Sequence, residues 1–299
     1  MSLFKLPDSK DRIYNHVKVS KYKEDIREYL NSLWKSYQPF CPDQHFKEEF
    51  SHDLIARWWE MYLGNVFLTN KHKIVIRKGA GPDFKISFNE KTFNIEAITP
   101  NSGEGDDACP VYPRKSAFSY SDIKLILRLT HAIWEKNKKF EQYLENGLVK
   151  EGDTNIIAVN LSKIDLADEI YSETDIPIIA KAFLGFDDLK IQVPINLGSG
   201  ESGESKPVYD AREKLIKVNG ADVSLTSFVD GSYPLISGIF CSAESFVGMP
   251  ESGKGIWTLS NPTSSNPVMK NHFKFGTEWL ASLQANKVSL DKVDHSLEN

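Results

Sequence analysis

The chain has 299 residues, 40% hydrophobic and 26% charged, which is enough to bury a large core in one or two domains. Lys and Arg total 36 against 41 Asp and Glu, a formal net charge of -5; this excludes a surface coated in positive charge but not a local basic groove. No apolar run approaches the roughly 18 residues of a membrane span, the start lacks a signal-peptide core, and the three cysteines are isolated. A cytoplasmic protein with no membrane contact, no disulfide framework and no zinc pattern is therefore expected.

Residues 1–45 read as an N-terminal helical segment, with one helix around 22–37 and Pro39 and Pro42 after it. Residues 46–165 read as the core. Phe50, Leu54, Trp58 and Leu63 fall near helical spacing and predict one long helix over 46–67. The period then changes to two, and 73–77, 84–88 and 92–99 predict three strands. A Gly, Asp and Pro-rich loop over 101–113 precedes a strong helix over 121–146, with Gly147 as its stop, and a buried strand over 154–160. A helix between two strands is the crossover that joins strands of a mixed sheet. Residues 166–299 read as an extension that completes the same domain. It carries a short helix within 177–186, a flexible Gly/Ser loop over 198–206, and strands at 214–218, 235–241 and 255–259. The predicted class is α/β (α+β): a central mixed sheet flanked by helices, with a β-rich C-terminal part.

The hairpin at 84–99 can be tested by register alone. With Asn89-Glu90 as a two-residue turn, Phe88 pairs with Lys91, Ile86 faces Phe93 and Phe84 faces Ile95. On the other face Ser87 meets Thr92, Lys85 meets Asn94, and Asp83 meets Glu96. A shift of one residue sets Phe84 against Glu96 and destroys the match. Directly opposed residues have Cβ atoms about 5 Å apart, within reach of one hard divalent cation. Without a cation the two acids would repel, and one would tend to hold a proton. The alternative is a solvated acidic face with Lys85 as its counter-charge.

An acid on an N-terminal helix (Glu60, in Arg57-Trp58-Trp59-Glu60), a Pro-Asp opening a strand (Pro82-Asp83) and a Glu in the next strand (Glu96) resemble the PD-(D/E)XK nuclease superfamily. The Gly81-Pro82-Asp83-Phe84 and Ile95-Glu96-Ala97 segments are similar to those of an uncharacterised bacterial branch. The resemblance covers roughly 46–160 and implies a restriction-endonuclease-like core and metal-dependent phosphodiester hydrolysis. The expected substrate is nucleic acid, with DNA the expected polymer, and a homodimer is left open. The family's lysine would stand at position 98, which is Ile98 here. Its substitutes are Lys136, on the seam of Leu129, Ala132, Phe140 and Tyr143, then Lys85, then Lys115. Arg128, two turns before Lys136, and Lys85 are the candidates for touching substrate phosphate; Arg128 could equally pair with an acid.

The resemblance further implies that Asp83 and Glu96, with the Ile98 or Ala97 backbone carbonyl, hold Mg²⁺ or Mn²⁺. Glu60 would bind a second ion, directly or through water, or be an exposed helix residue. The broken Glu-X-Lys element keeps a second hypothesis open: a catalytically inactive nuclease-fold module that binds nucleic acid or protein. Other signals are weaker. Gly248 to Gly255 nearly matches a phosphate-binding loop, but Gly255 replaces the Ser/Thr and a strand follows where a helix is required, so it reads as a hairpin loop. The seven histidines show no metal spacing, and Trp58-Trp59 read as core.

Overall fold

The computed structural model describes the chain except for residues 1, 8, 77–78, 89–90, 113–120, 166, 169–175, 201, 285–286 and 296–299. The Asn89-Glu90 turn, Arg77 and Lys115 lie outside the described residues. The N-terminal part contains α1 (Arg12–Val19), α2 (Glu24–Tyr37), α3 (Phe46–His52) and α4 (Leu54–Thr69). The long helix expected over 46–67 is two helices. At Asp53 the backbone leaves the helical region (φ -146°, ψ 81°), and its side chain accepts the Ala56 amide at 3.0 Å. The Leu54 amide is taken by Asp11, far away in sequence, at 2.9 Å. Two such side-chain acceptors satisfy the orphan donors of a new helix start.

Then follow β1 (Lys73–Ile74), β2 (Phe84–Phe88), β3 (Lys91–Ile98), α5 (Ile123–Glu145) and β4 (Thr154–Asn160). The strand expected over 73–77 is shorter than predicted. The remainder is α6 (Ile178–Leu184), a ribbon of β5 (Phe186–Gln192) with β6 (Lys206–Ala211), a second of β7 (Lys214–Ile216) with β8 (Asp222–Ser224), and then β9 (Gly238–Ser242), β10 (Trp257–Ser260), β11 (Thr277–Gln284) and β12 (Lys287–Asp294). Of these, β5, β6, β8, β11 and β12 have no counterpart in the sequence reading.

One sheet of eight strands, ordered β1-β2-β3-β4-β9-β10-β11-β12, runs through the molecule. It is mixed: β3, β4 and β9 are parallel to one another, as are β10 and β11, and the other neighbours are antiparallel. Helix α5 is the crossover from β3 to β4. Strand β4 is buried along its whole length, which gives an uninterrupted apolar run rather than an alternating one. Its Ile156 and Ala158 join a core under α2, α3 and α4, while Ile157 and Val159 join a second core under α5 and α6. Strands β9 to β12 extend this sheet, so the last third of the chain completes the same layer. The near-match to a phosphate-binding loop lies between the antiparallel strands β9 and β10. No helix among the described residues is long and apolar enough to cross a membrane.

Candidate active site

The β2–β3 register is Phe84↔Ile95, Lys85↔Asn94, Ile86↔Phe93, Ser87↔Thr92 and Phe88↔Lys91, the register that apolar matching alone predicts. Strand β2 begins at Phe84 while β3 runs on to Ile98, so the ladder between them runs out beside Asp83. There the Asp83 side chain replaces the missing backbone partner: its Oδ2 accepts the Ala97 amide at 2.7 Å. The N–H and C=O of one strand residue point to the same side. The Ala97 carbonyl therefore faces the Asp83 side, and the Ile98 carbonyl faces β4. Of the two carbonyls that the resemblance offers as a cation ligand, that of Ala97 is on the acid side, and Ile98 also lines the cleft.

Glu96, fully buried, is clasped from α5. Lys136 Nζ lies 2.7 Å from its Oε1, Lys139 Nζ bonds the same oxygen, and the Tyr143 hydroxyl lies 3.1 Å from Oε2 and 3.0 Å from the Gly81 carbonyl. Positions 136, 139 and 143 are one and two turns apart, so one face of α5 presents all three groups. Lys136 is the lysine that the apolar seam singles out. Lys139 was missed by sequence reasoning, although its i+3 spacing from Lys136 was a usable signal. Burial disfavours the Lys139 ammonium, but the Glu96 carboxylate more than offsets this and its pKa is raised. Burial, then Glu96, pushes the Tyr143 hydroxyl up to about 12.

Glu60 projects from α4 and is buried rather than exposed. Tyr37 of α2 donates to its Oε1 at 2.7 Å and Arg57 to its Oε2 at 2.7 Å. Arg57 also approaches Asp43 at 3.6 Å and Glu49 at 3.8 Å. Burial raises the Glu60 pKa, against the opposing effects of Arg57 and Tyr37. The same cause, followed by the charges of Glu96 and Glu60, lifts Asp83 to about 7; the Ala97 amide and Lys136 oppose it. Glu60, Asp83, Glu96, Ala97, Lys136 and Lys139 line one cleft of about 250 Å³, fed from both helical layers.

The other candidates lie elsewhere. Lys85 sits opposite Asn94 and does not line the cleft. Arg128 donates to the Asn101 carbonyl at 3.0 Å and the Asn101 side chain at 3.3 Å, holding the loop after β3. Trp58 and Trp59 are core, and the Trp59 indole donates to the Ala158 carbonyl at 3.1 Å. A larger cavity of about 440 Å³ opens on the far flank of α5 beside His131, Trp134 and Tyr233. The acid that lines it, Asp222, is paired with Lys214 at 2.6 Å.

Among the described residues, no three His, Cys, Asp or Glu side chains are grouped to hold one metal ion. Two carboxylates and a carbonyl nevertheless suit Mg²⁺, which keeps several waters and takes only one or two carboxylates, better than Ca²⁺, which takes six to eight oxygens. Among the described residues nothing bonds the second oxygen of Asp83, and its anionic form is disfavoured by burial and then by the charges of Glu96 and Glu60, a repulsion that a cation would relieve. Comparison with the profiles of known protein families, with curated proteins and with solved structures found no match to this chain.

Proposed function

We propose that the chain is a Mg²⁺- or Mn²⁺-dependent phosphodiesterase of the PD-(D/E)XK type that acts on nucleic acid, with DNA as the substrate. One observation carries the reading: Asp83 and Glu96 line one cleft with Lys136, whose ammonium lies 2.7 Å from Glu96 although the motif position is Ile98. Asp83, Glu96 and the Ala97 carbonyl would hold the cation, and Glu60 a second one, directly or through water. Such a cation supplies charge against the developing phosphoryl oxygens and lowers the pKa of a neighbouring water.

The chain's own groups do the rest. Lys136 and Lys139 both bond one oxygen of Glu96 and fix its position in the cleft. Once Glu96 is shared, an ammonium is free to orient the attacking water or to meet the charge of the transition state. Tyr143 keeps the other Glu96 oxygen in place.

A second reading is a non-catalytic module of the same fold. The Glu96 carboxylate is already satisfied by two ammonium groups and a hydroxyl, an arrangement that is stable without a metal. Plasmid DNA with Mg²⁺ or Mn²⁺ separates the two. The enzyme nicks it, and Asp83→Ala abolishes nicking while circular dichroism and melting remain those of a folded protein. No nicking with any divalent ion, or undiminished nicking by Asp83→Ala, rejects the phosphodiesterase.

A further inference from the structure

We propose that Tyr37 of α2 is a positioning residue for the cleft, its hydroxyl fixing the Glu60 carboxylate toward the second cation; this rests on the phosphodiesterase reading. Helix α2 belongs to the N-terminal segment, outside the core that carries the sequence motif. Its last residue is fully buried and reaches across to α4, where its hydroxyl lies 2.7 Å from Glu60 Oε1. With Arg57 on Oε2 at 2.7 Å, each oxygen has one donor and keeps lone-pair capacity for the cleft. The two donors come from different helices, so the carboxyl cannot rotate without losing one of them.

The surroundings are built for this reach. Ring centroids of Phe46 and Phe84 lie 5.8 Å and 5.7 Å from that of Tyr37, and Phe84 directly follows Asp83, so one ring is packed against the strand that carries one acid and bonded to the other. Gly64, one turn after Glu60, faces the same ring. A Cβ there would stand 2.5 Å from Tyr37 Cδ2, closer than any side chain tolerates. Gly64 has no positive φ, so glycine serves here to admit the ring rather than to relieve the backbone. Asn65 then ties the helices together, its amide donating to the Leu33 carbonyl at 2.9 Å. Packing alone would be met by a phenylalanine; the hydroxyl is the atom with Glu60 as its partner.

The experiment is Mn²⁺ titration of the protein by calorimetry, with DNA cleavage measured against Mn²⁺ concentration in parallel. Tyr37→Phe keeps the ring and removes the donor. A hydrogen bond to a charged group is worth enough to make the Glu60-dependent Mn²⁺ binding about tenfold weaker. The Mn²⁺ concentration for half-maximal cleavage should rise by about the same factor, with KM for DNA unchanged. In a Glu60→Gln background, Tyr37→Phe should add nothing. Trp34→Phe, which alters the same aromatic cluster but leaves the hydroxyl bond intact, should leave Mn²⁺ binding as in the wild type. The proposal is overturned if Tyr37→Phe binds Mn²⁺ like the wild type, if it weakens binding equally without Glu60, or if Trp34→Phe has the same effect. If Asp83→Ala binds Mn²⁺ as well as the wild type does, the phosphodiesterase reading falls and takes this proposal with it.

Discussion

Replacing Asp83 with asparagine should stabilise the protein above neutral pH in the absence of divalent ions. In the fold the carboxyl titrates at about 7, against an ordinary 3.8. Between those values the folded state holds a proton that the unfolded chain has released, so stability falls as pH rises through the window. At about 1.4 kcal/mol per pH unit, full ionisation costs the fold about 4 kcal/mol. The asparagine would keep an oxygen for the Ala97 amide, and its amide group would face the two neighbouring acids as a donor. The cost should therefore disappear in Asp83→Asn while the strand cap stays. Urea unfolding at pH 5 and pH 8, in a chelator, measures both limbs. The wild type should lose stability between the two and the variant should lose much less, ending above the wild type at pH 8. A variant less stable than the wild type at pH 8 would refute the argument, because Asp83 would then be stabilising its surroundings as an anion.

The lysine clasp predicts non-additivity. Lys136→Met or Lys139→Met alone should cost about 1 kcal/mol, because the other ammonium still meets Glu96, and Lys139, at 41% exposure, contributes the smaller share. The double variant leaves a fully buried carboxylate without a cation and should cost about 3–5 kcal/mol in denaturant unfolding, part of it recovered on adding Mg²⁺; additive small losses would argue against a shared oxygen. Far from the cleft, fully buried Glu278 accepts the Asn271 amide at 2.9 Å and the Phe273 amide at 3.2 Å, with His295 Nε2 at 3.3 Å from it. Glu278→Gln removes one acceptor and should lower stability by about 1–3 kcal/mol, with DNA cleavage at low temperature unchanged.

The hairpin was legible because a strand has period two and only one register sets Phe84, Ile86 and Phe88 against apolar or permissive partners. Strand β4 was legible because a continuous apolar run of that length suits a strand buried on both faces. The helix break at Asp53 was not, because the apolar spacing of Phe50, Leu54 and Trp58 runs straight through it while the acceptor of the Leu54 amide, Asp11, lies more than forty residues away, at the cap of another helix. Strand β12 has only exposed and half-buried residues at the sheet margin, so its pattern carries little hydrophobic contrast. Within the cleft, Lys136 could be found because a charge on an apolar seam needs a partner. Glu60 could not be decided, because what buries it is Tyr37, more than twenty residues away. Arg128 shows the opposite failure: a cation on the right helix is claimed by a loop that its spacing does not reveal.

The Ala97 amide, held by a carboxylate rather than a strand, has a use of its own. Its proton is the point where the backbone touches the cleft chemistry. A charged Asp83 grips it firmly, a protonated one less so, and a cation drawing on the same carboxylate competes for its electrons. Its amide resonance and exchange rate should therefore follow the charge state of the cleft, before any substrate is added. The fold contains its own spectroscopic probe, at a place where the sheet has left a backbone donor to an acidic side chain.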